Sequence, residues 1–182
     1  MKLLASAPGR ICLFGEHMDW CRKSVIPVAI DMRIFMSLAD TIGGIVRLDS
    51  YPPFTAHDQF HLSDFDATGG NDLRYVRAVF RAMMNSGYRF SGCNIGFVTG
   101  AEVSELTGKR GLADLPAGRG LSSSAAVCVA TAGGLEALTN GIREETKEIA
   151  LLTKIADLAY TAERKILGVN CGQMDQYASA LG

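Results

Sequence analysis

The stretch Leu115-Pro-Ala-Gly-Arg-Gly-Leu-Ser-Ser-Ser-Ala-Ala126 constrains this chain more than any other. It is a glycine-rich turn that runs straight into a helical pattern from Ser122 to about Asn140. Backbone N–H groups, three hydroxyls and a helix N-terminus converge on one point. A helix N-terminus carries about half a positive elementary charge and unsatisfied donors, so it suits a phosphate. Gly118 and Gly120 let the backbone approach an anion closely or take positive φ. The alternative is an ordinary serine-capped helix after a turn, for which one serine suffices. Two familiar phosphate loops are excluded. The Gly108-Lys109 pair is followed by Arg110, and Val103 stands where a Walker loop needs its first glycine. Ser123 occupies the third glycine position of a dinucleotide fingerprint.

The order of elements points to an α+β fold. Arg10 to Gly15 reads as a buried strand ending in the polar turn Glu16-His-Met-Asp19. Ser24–Ile30, Met32–Ala39, Ile45–Ser50 and Gln59–Ser63 read as further strands, separated by turn residues such as Gly43-Gly44 and Pro52-Pro53. Leu73–Ser86 has helical period, with Val76, Val79, Phe80 and Met83 on one face, and Asn94–Thr99 is another strand. A mixed segment, Gly100–Asp114, reads as a long loop of the functional or mobile kind. Helices are expected over Ser122–Asn140, Glu144–Leu167 and Gly172–Leu181.

Bulk properties narrow the function classes. A 182-residue chain with 48% apolar and 20% charged residues can bury a sizeable core in one domain. Net charge −1 supplies no basic stripe for nucleic acid as a principal partner. No run of about eighteen apolar residues is present, so no membrane span is expected. The start, Met1 to Ala7, has too short an apolar run for a signal peptide. Five cysteines without a C-x-x-C pair read as reduced thiols in a cytoplasmic protein.

Three groups of polar residues stand in unusual places. On the Glu144–Leu167 pattern, Glu163 projects inside the broad apolar face made by Leu152, Ile155, Ala156 and Ala159. A buried carboxylate needs a cation, strong donors or a proton, so either a structural salt bridge or a metal ligand is implied. Asp175 falls in the first turn of the last helix, as a dipole partner or a functional acid. Arg10, Glu16, His17 and Asp19 cluster around one strand end, as in a solvated turn or a site for a polyhydroxylated ligand.

Taken together, these segments resemble the GHMP kinase superfamily and, within it, the galactokinase branch. The first motif resembles Pro8-Gly-Arg-Ile-Cys-Leu-Phe-Gly-Glu-His-Met-Asp19, and the ATP loop resembles Pro116 to Ala126. Ala162-Glu163 precedes Cys171-Gly-Gln-Met-Asp175-Gln176 with twelve residues from Glu163 to Asp175, the spacing of that branch. The resemblance implies an N-terminal domain like domain 2 of ribosomal protein S5, a mixed sheet with helices packed on it. It also implies an ATP- and Mg²⁺-dependent kinase acting on the anomeric hydroxyl of galactose or a related sugar. Asp175 would be the base or electrostatic partner of that hydroxyl, with Arg10 beside it. Glu16, His17, Asp19 and Gly172 would hold the sugar. Pro116, Gly118, Gly120, Leu121, Ser122, Ser123, Ser124 and Ala125 would cradle the nucleotide, and Ser124 with Glu163 the metal.

The chain departs from the branch in places. Galactokinases continue the first motif as Thr-Asp-Tyr-Asn-Gly-Gly, whereas Met18-Asp-Trp-Cys-Arg-Lys23 stands here, and Cys12 replaces a common Asn. Gly100–Asp114 resembles an insertion before the ATP loop. The family's second, C-terminal domain is expected to be absent from residues 1–182, leaving an apolar docking surface prone to self-association. The competing expectation is a galactokinase-like sensor or inactive half that binds sugar and nucleotide without transfer. A mevalonate- or homoserine-type kinase fits Asp19 and the Cys171–Gln176 motif less well.

Overall fold

The structure, a computed structural model, describes residues 1–21, 23–50, 56–69, 73–142 and 149–182. In chain order the elements are β1 (Lys2–Phe14), a 3₁₀ turn at Asp19–Cys21, β2 (Ile26–Asp40), β3 (Ile45–Ser50), β4 (Ala56–His61) and α1 (Arg74–Asn85). They continue with β5 (Cys93–Val98), α2 (Gly100–Thr107), β6 (Ala113–Asp114), α3 (Ser123–Asn140), α4 (Ile149–Tyr160), a π-helical turn at Thr161–Ile166 and α5 (Met174–Leu181). The sheet runs β1-β2-β5-β3-β4, antiparallel except where β3 pairs parallel with β5. This is the expected mixed sheet with helices packed on it.

Several boundaries differ from the sequence reading. The first strand begins at Lys2 rather than Arg10, because Lys2–Pro8 pairs residue by residue with Arg33–Ala39. The two strands expected around Asp31 form one continuous β2, and the strand expected at Gln59–Ser63 lies at Ala56–His61. The last helix starts at Met174 rather than Gly172. Gly100–Asp114 is not a structureless loop. Thr99 and Glu102 form a reciprocal capping box that starts α2, and Gly108, at φ 72°, ends it. The Asp114 carboxylate then accepts from the Gly100 amide at 2.7 Å, which closes the excursion at its base. The Pro52-Pro53 turn and the start of the helix expected from Glu144 lie outside the described residues.

The core sits between the sheet and its helices. Val76, Val79, Phe80 and Met83 of α1 are fully buried, as are Leu38, Val46, Leu48 and Ile95 of the sheet. Burying such side chains contributes about 1.5–3 kcal/mol each. Small residues of α3 allow close approach to the sheet: a Cβ on Gly134 would lie 2.8 Å from both Leu38 methyl groups.

A kink in the first hairpin positions the glycine-rich turn. Register shifts between Pro8 and Arg10, where Pro8 has no N–H to give. The Ser179 hydroxyl of α5 donates to the Pro8 carbonyl at 2.7 Å. Gly9 leaves room for the Leu121 carbonyl, which a Cβ would meet at 2.8 Å, and the Arg10 amide donates to that carbonyl at 3.1 Å. On the other edge of β2, β6 pairs with Met32 and Arg33, and the Leu115 amide donates to the Arg33 carbonyl at 2.9 Å. The turn is thus anchored at one end to β1 and at the other to β2.

Candidate functional site

Between those anchors the chain takes positive φ at alternate positions, Gly118 (69°), Gly120 (71°) and Ser122 (57°). Nothing lies within 4 Å of a Cβ built on either glycine, so their requirement is conformational and not spatial. Such alternation curls successive N–H groups toward one concavity. Among the described residues, the amides of Ser122, Ser123, Ser124 and Ala125 donate to nothing in the protein. Pro116 is half-buried at the entry to the turn, and Leu121 packs against the core.

Ser122 does not cap α3. Its hydroxyl donates instead to Asp175 Oδ2 at 2.6 Å, and the helix begins at Ser123. A left-handed backbone at a non-glycine residue is uncommon and costs strain. Here it turns the Ser122 hydroxyl onto the acid and leaves the first helical amides open. Ser123 and Ser124 follow, both half-buried.

Asp175, in the first turn of α5, receives two donors. Arg10 Nε lies 2.7 Å from Oδ1, opposite the Ser122 hydroxyl on Oδ2. Arg10 is 7% exposed and also donates to the Gly120 carbonyl at 3.1 Å. Its third nitrogen lies 3.5 Å from Glu16. Burial alone pulls the guanidinium pKa down, but the Asp175 hydrogen bond and charge, with Glu16, outweigh it and leave it raised. Arg10 is therefore a permanent cation that ties the turn to the acid.

Glu163 is 2% exposed, as its place on the apolar face requires. It lies in the π turn, where the Leu167 amide reaches back to the Ala162 carbonyl and the widened coil redirects the side chains. The regular helix expected through Leu167 therefore stops at Tyr160. Gln176 Nε2 donates to Glu163 Oε2 at 2.5 Å. Burial pushes the Glu163 carboxyl upward, hydrogen bonds from Gln176 and Ser124 pull it back, and the charge of Asp175 adds to the rise. No salt bridge joins Glu163 to a cation among the described residues, which removes the structural ion pair left open by the sequence. Three or more His, Cys, Asp or Glu side chains do not gather into a metal cage among the described residues. A buried carboxylate beside one serine hydroxyl instead fits Mg²⁺, which takes one or two protein oxygens and fills its remaining positions with phosphates and water.

Asp19 and Gly172 meet a short distance away. Asp19 Oδ1 accepts from the Trp20 amide at 3.0 Å and Oδ2 from the Met174 amide at 3.3 Å. A Cβ on Gly172 would collide with that carboxylate, so glycine there is a spatial requirement. The structure therefore brings together Arg10, Glu16, Gly120, Ser122 and Asp175, with Ser124–Glu163 and Asp19–Gly172 as adjoining pairs. His17 is not drawn in: it is exposed, has φ 63°, and meets Trp20 edge-on at 5.5 Å between ring centroids.

Sequence reasoning missed Gln176. It is 1% exposed, holds Glu163, and leaves its own carbonyl oxygen without a partner among the described residues. No sequence signal marked that support, since the π turn sets the approach of Glu163 to Gln176. Also missed was a slot of about 400 Å³ beside the turn, walled by Phe35, Phe97, Thr99, Glu102, Leu115 and Pro116. It exists because α2 rises over the end of β5.

The family described as GHMP kinases N terminal domain matches residues 74–182, and the galactokinase galactose-binding signature matches residues 2–39. A galactokinase of Chloroflexus aurantiacus is 33% identical over 98% of this chain. The chain spans 40% of that relative's length. Among solved structures, Lactococcus lactis galactokinase complexed with galactose superposes with TM-score 0.75 at 23% identity, over 97% of this chain and 41% of that one. Methanococcus jannaschii mevalonate kinase gives 0.74 at 18% identity, over 99% and 51%. At these identities the two structures bear on the fold.

Proposed function

The chain belongs to the GHMP kinase family, and from that premise we propose that the protein transfers the γ-phosphoryl group of ATP to the anomeric hydroxyl of galactose or a related sugar. The observation that carries this reading is the double hold on Asp175 by Arg10 and Ser122 at the mouth of a turn with free amides. The relatives named galactokinase support the acceptor class.

In this reading the phosphates rest on the Ser122–Ala125 amides at the N-terminus of α3, and the nucleoside lies in the Phe35–Phe97 slot. Glu163 and Ser124 would hold Mg²⁺, which would supply charge neutralisation of the phosphates. Asp19 and Gly172 fix the sugar, with Glu16 at its border. Each Asp175 oxygen has one donor and keeps acceptor capacity for the sugar hydroxyl. The hydroxyl proton passes to Asp175 as its oxygen bonds to the γ-phosphorus. The bridging oxygen leaves with ADP, giving the sugar 1-phosphate. Arg10, always charged, holds Asp175 and Gly120 in one frame so that donor and acceptor stay aligned.

The exposed side chains Ile11, Leu13, Ile26 and Val28 form an apolar face on the β1–β2 hairpin. We read it as the seat of a further lobe or of a second copy. Five free thiols accord with a cytoplasmic setting, and no helix among the described residues is long and apolar enough to cross a membrane.

The test is sugar-dependent ADP release by the complete gene product, with ³¹P NMR identifying an anomeric phosphate. Asp175→Ala is expected to abolish turnover while largely retaining sugar binding. Sugar binding without any phosphorylated product would replace the kinase by a sensor.

A further inference from the structure

A second groove adjoins the acceptor set and reaches away from the reacting end. Its volume is about 760 Å³, and Asp19, Gly172 and Met174 form its inner wall. Arg10, Ser122 and Asp175 do not line it. An acceptor whose hydroxyl sits at Asp175 and whose ring is held by Asp19 therefore directs its remote end into this groove.

The groove's lining also holds two cations from distant parts of the chain, Lys23 after the 3₁₀ turn and Arg164 in the π turn. Neither pairs with a carboxylate among the described residues. Arg164 is oriented by neutral acceptors alone, Asn170 Oδ1 at 2.7 Å and the Val169 carbonyl at 3.3 Å. Among the described residues Asp19 is the one carboxylate in the lining, and both its oxygens already accept backbone amides. Trp20, Tyr160 and Tyr177 supply aromatic surface between the two ends. Aromatic faces in a groove suit the C–H face of a sugar, and paired unneutralised cations suit an anion.

We propose that the acceptor is an anionic sugar, whose carboxylate or phosphate at the end remote from the phosphorylated hydroxyl is held by Lys23 and Arg164. The proposal rests on the kinase reading above and narrows its substrate class. Lys23 stands where the galactokinase pattern has glycine, so this cation is a feature of this chain's own turn.

The test is calorimetry on the complete gene product with a non-hydrolysable Mg²⁺–nucleotide analogue, titrating galactose, galacturonate and galactose 6-phosphate. One anionic sugar is expected to bind at least about ten-fold more tightly than galactose, since a charge-assisted hydrogen bond carries roughly that factor. Galacturonate against galactose 6-phosphate identifies the anion. Lys23→Met is expected to erase most of the advantage, Lys23→Arg to keep it, and added salt to shrink it. Arg164→Met repeats the measurement at the second cation. Equal or weaker binding of both anions, or an advantage that survives both Met variants, overturns the proposal. ADP release with galactose is measured in parallel. Release without anion preference removes this inference and keeps the kinase, while anion preference without release removes the kinase and keeps the groove.

Discussion

Asp175→Asn keeps the shape of the side chain and removes its charge, leaving Arg10 facing an amide. The guanidinium is 7% exposed, and its next carboxylate is Glu16 at 3.5 Å. A hydrogen bond to a charged partner contributes about 1.5–3 kcal/mol. Asp175 keeps 25% of its side chain exposed, so solvent screens part of the pair; the expected coupling is then about 2 kcal/mol. With a urea slope of about 2 kcal/mol per molar, that moves the unfolding midpoint by about 1 M. The assay is a double-mutant cycle of wild type, Arg10→Met, Asp175→Asn and the double variant. Because Arg10 also holds Gly120, both single variants should weaken nucleotide binding by similar factors. Additive midpoints, with coupling under about 0.5 kcal/mol, would refute the claim that this pair frames the site.

Two further outcomes follow from local geometry. Gly172→Ala pushes the Asp19 carboxylate aside, and the acceptor KM is expected to rise roughly ten-fold for one lost charge-assisted bond, with little change in the KM for ATP; unchanged acceptor KM would place the sugar elsewhere. Hydrogen bonds from the Thr99 amide and hydroxyl hold the Glu102 carboxyl below its ordinary range. The folded value being depressed, the capping box is intact above the ordinary glutamate range and is lost as pH falls through the depressed one. Opening-limited amide exchange in Gly100–Thr107 should therefore rise on acidification in wild type, relative to Glu102→Gln, and identical profiles would exclude a role for the cap.

The parts visible in the sequence were those whose chemistry is local. Glycines alternating with other residues before a run of serines describe a turn whose amides stay open, and Glu163 stood on an apolar face that its own helix could not explain, whereas Asp175 could equally be read as a dipole partner of its helix. Parts that depend on distant partners were hidden. Ala5, Ser6 and Ala7 lack strand-forming bulk, and they join β1 only because β2 pairs with them. α2 is a short helix of mixed polarity, held by its Thr99 cap and by Asp114 reaching Gly100. Ser122, expected only in the nucleotide cradle, also donates its hydroxyl to Asp175, because the left-handed turn redirects it. Gln176 could not be read as a support for Glu163, since the π turn that brings them together follows from packing.

The most direct measurement is the position of the anomalous Mn²⁺ peak in crystals of the complete gene product grown with Mn²⁺ and a non-hydrolysable ATP analogue. That peak is expected on Glu163 and Ser124, with the phosphates hydrogen-bonded to the Ser122–Ala125 amides and Asp175 facing the terminal phosphate. A nucleotide bound away from this turn, or a metal without Glu163 among its ligands, would contradict it.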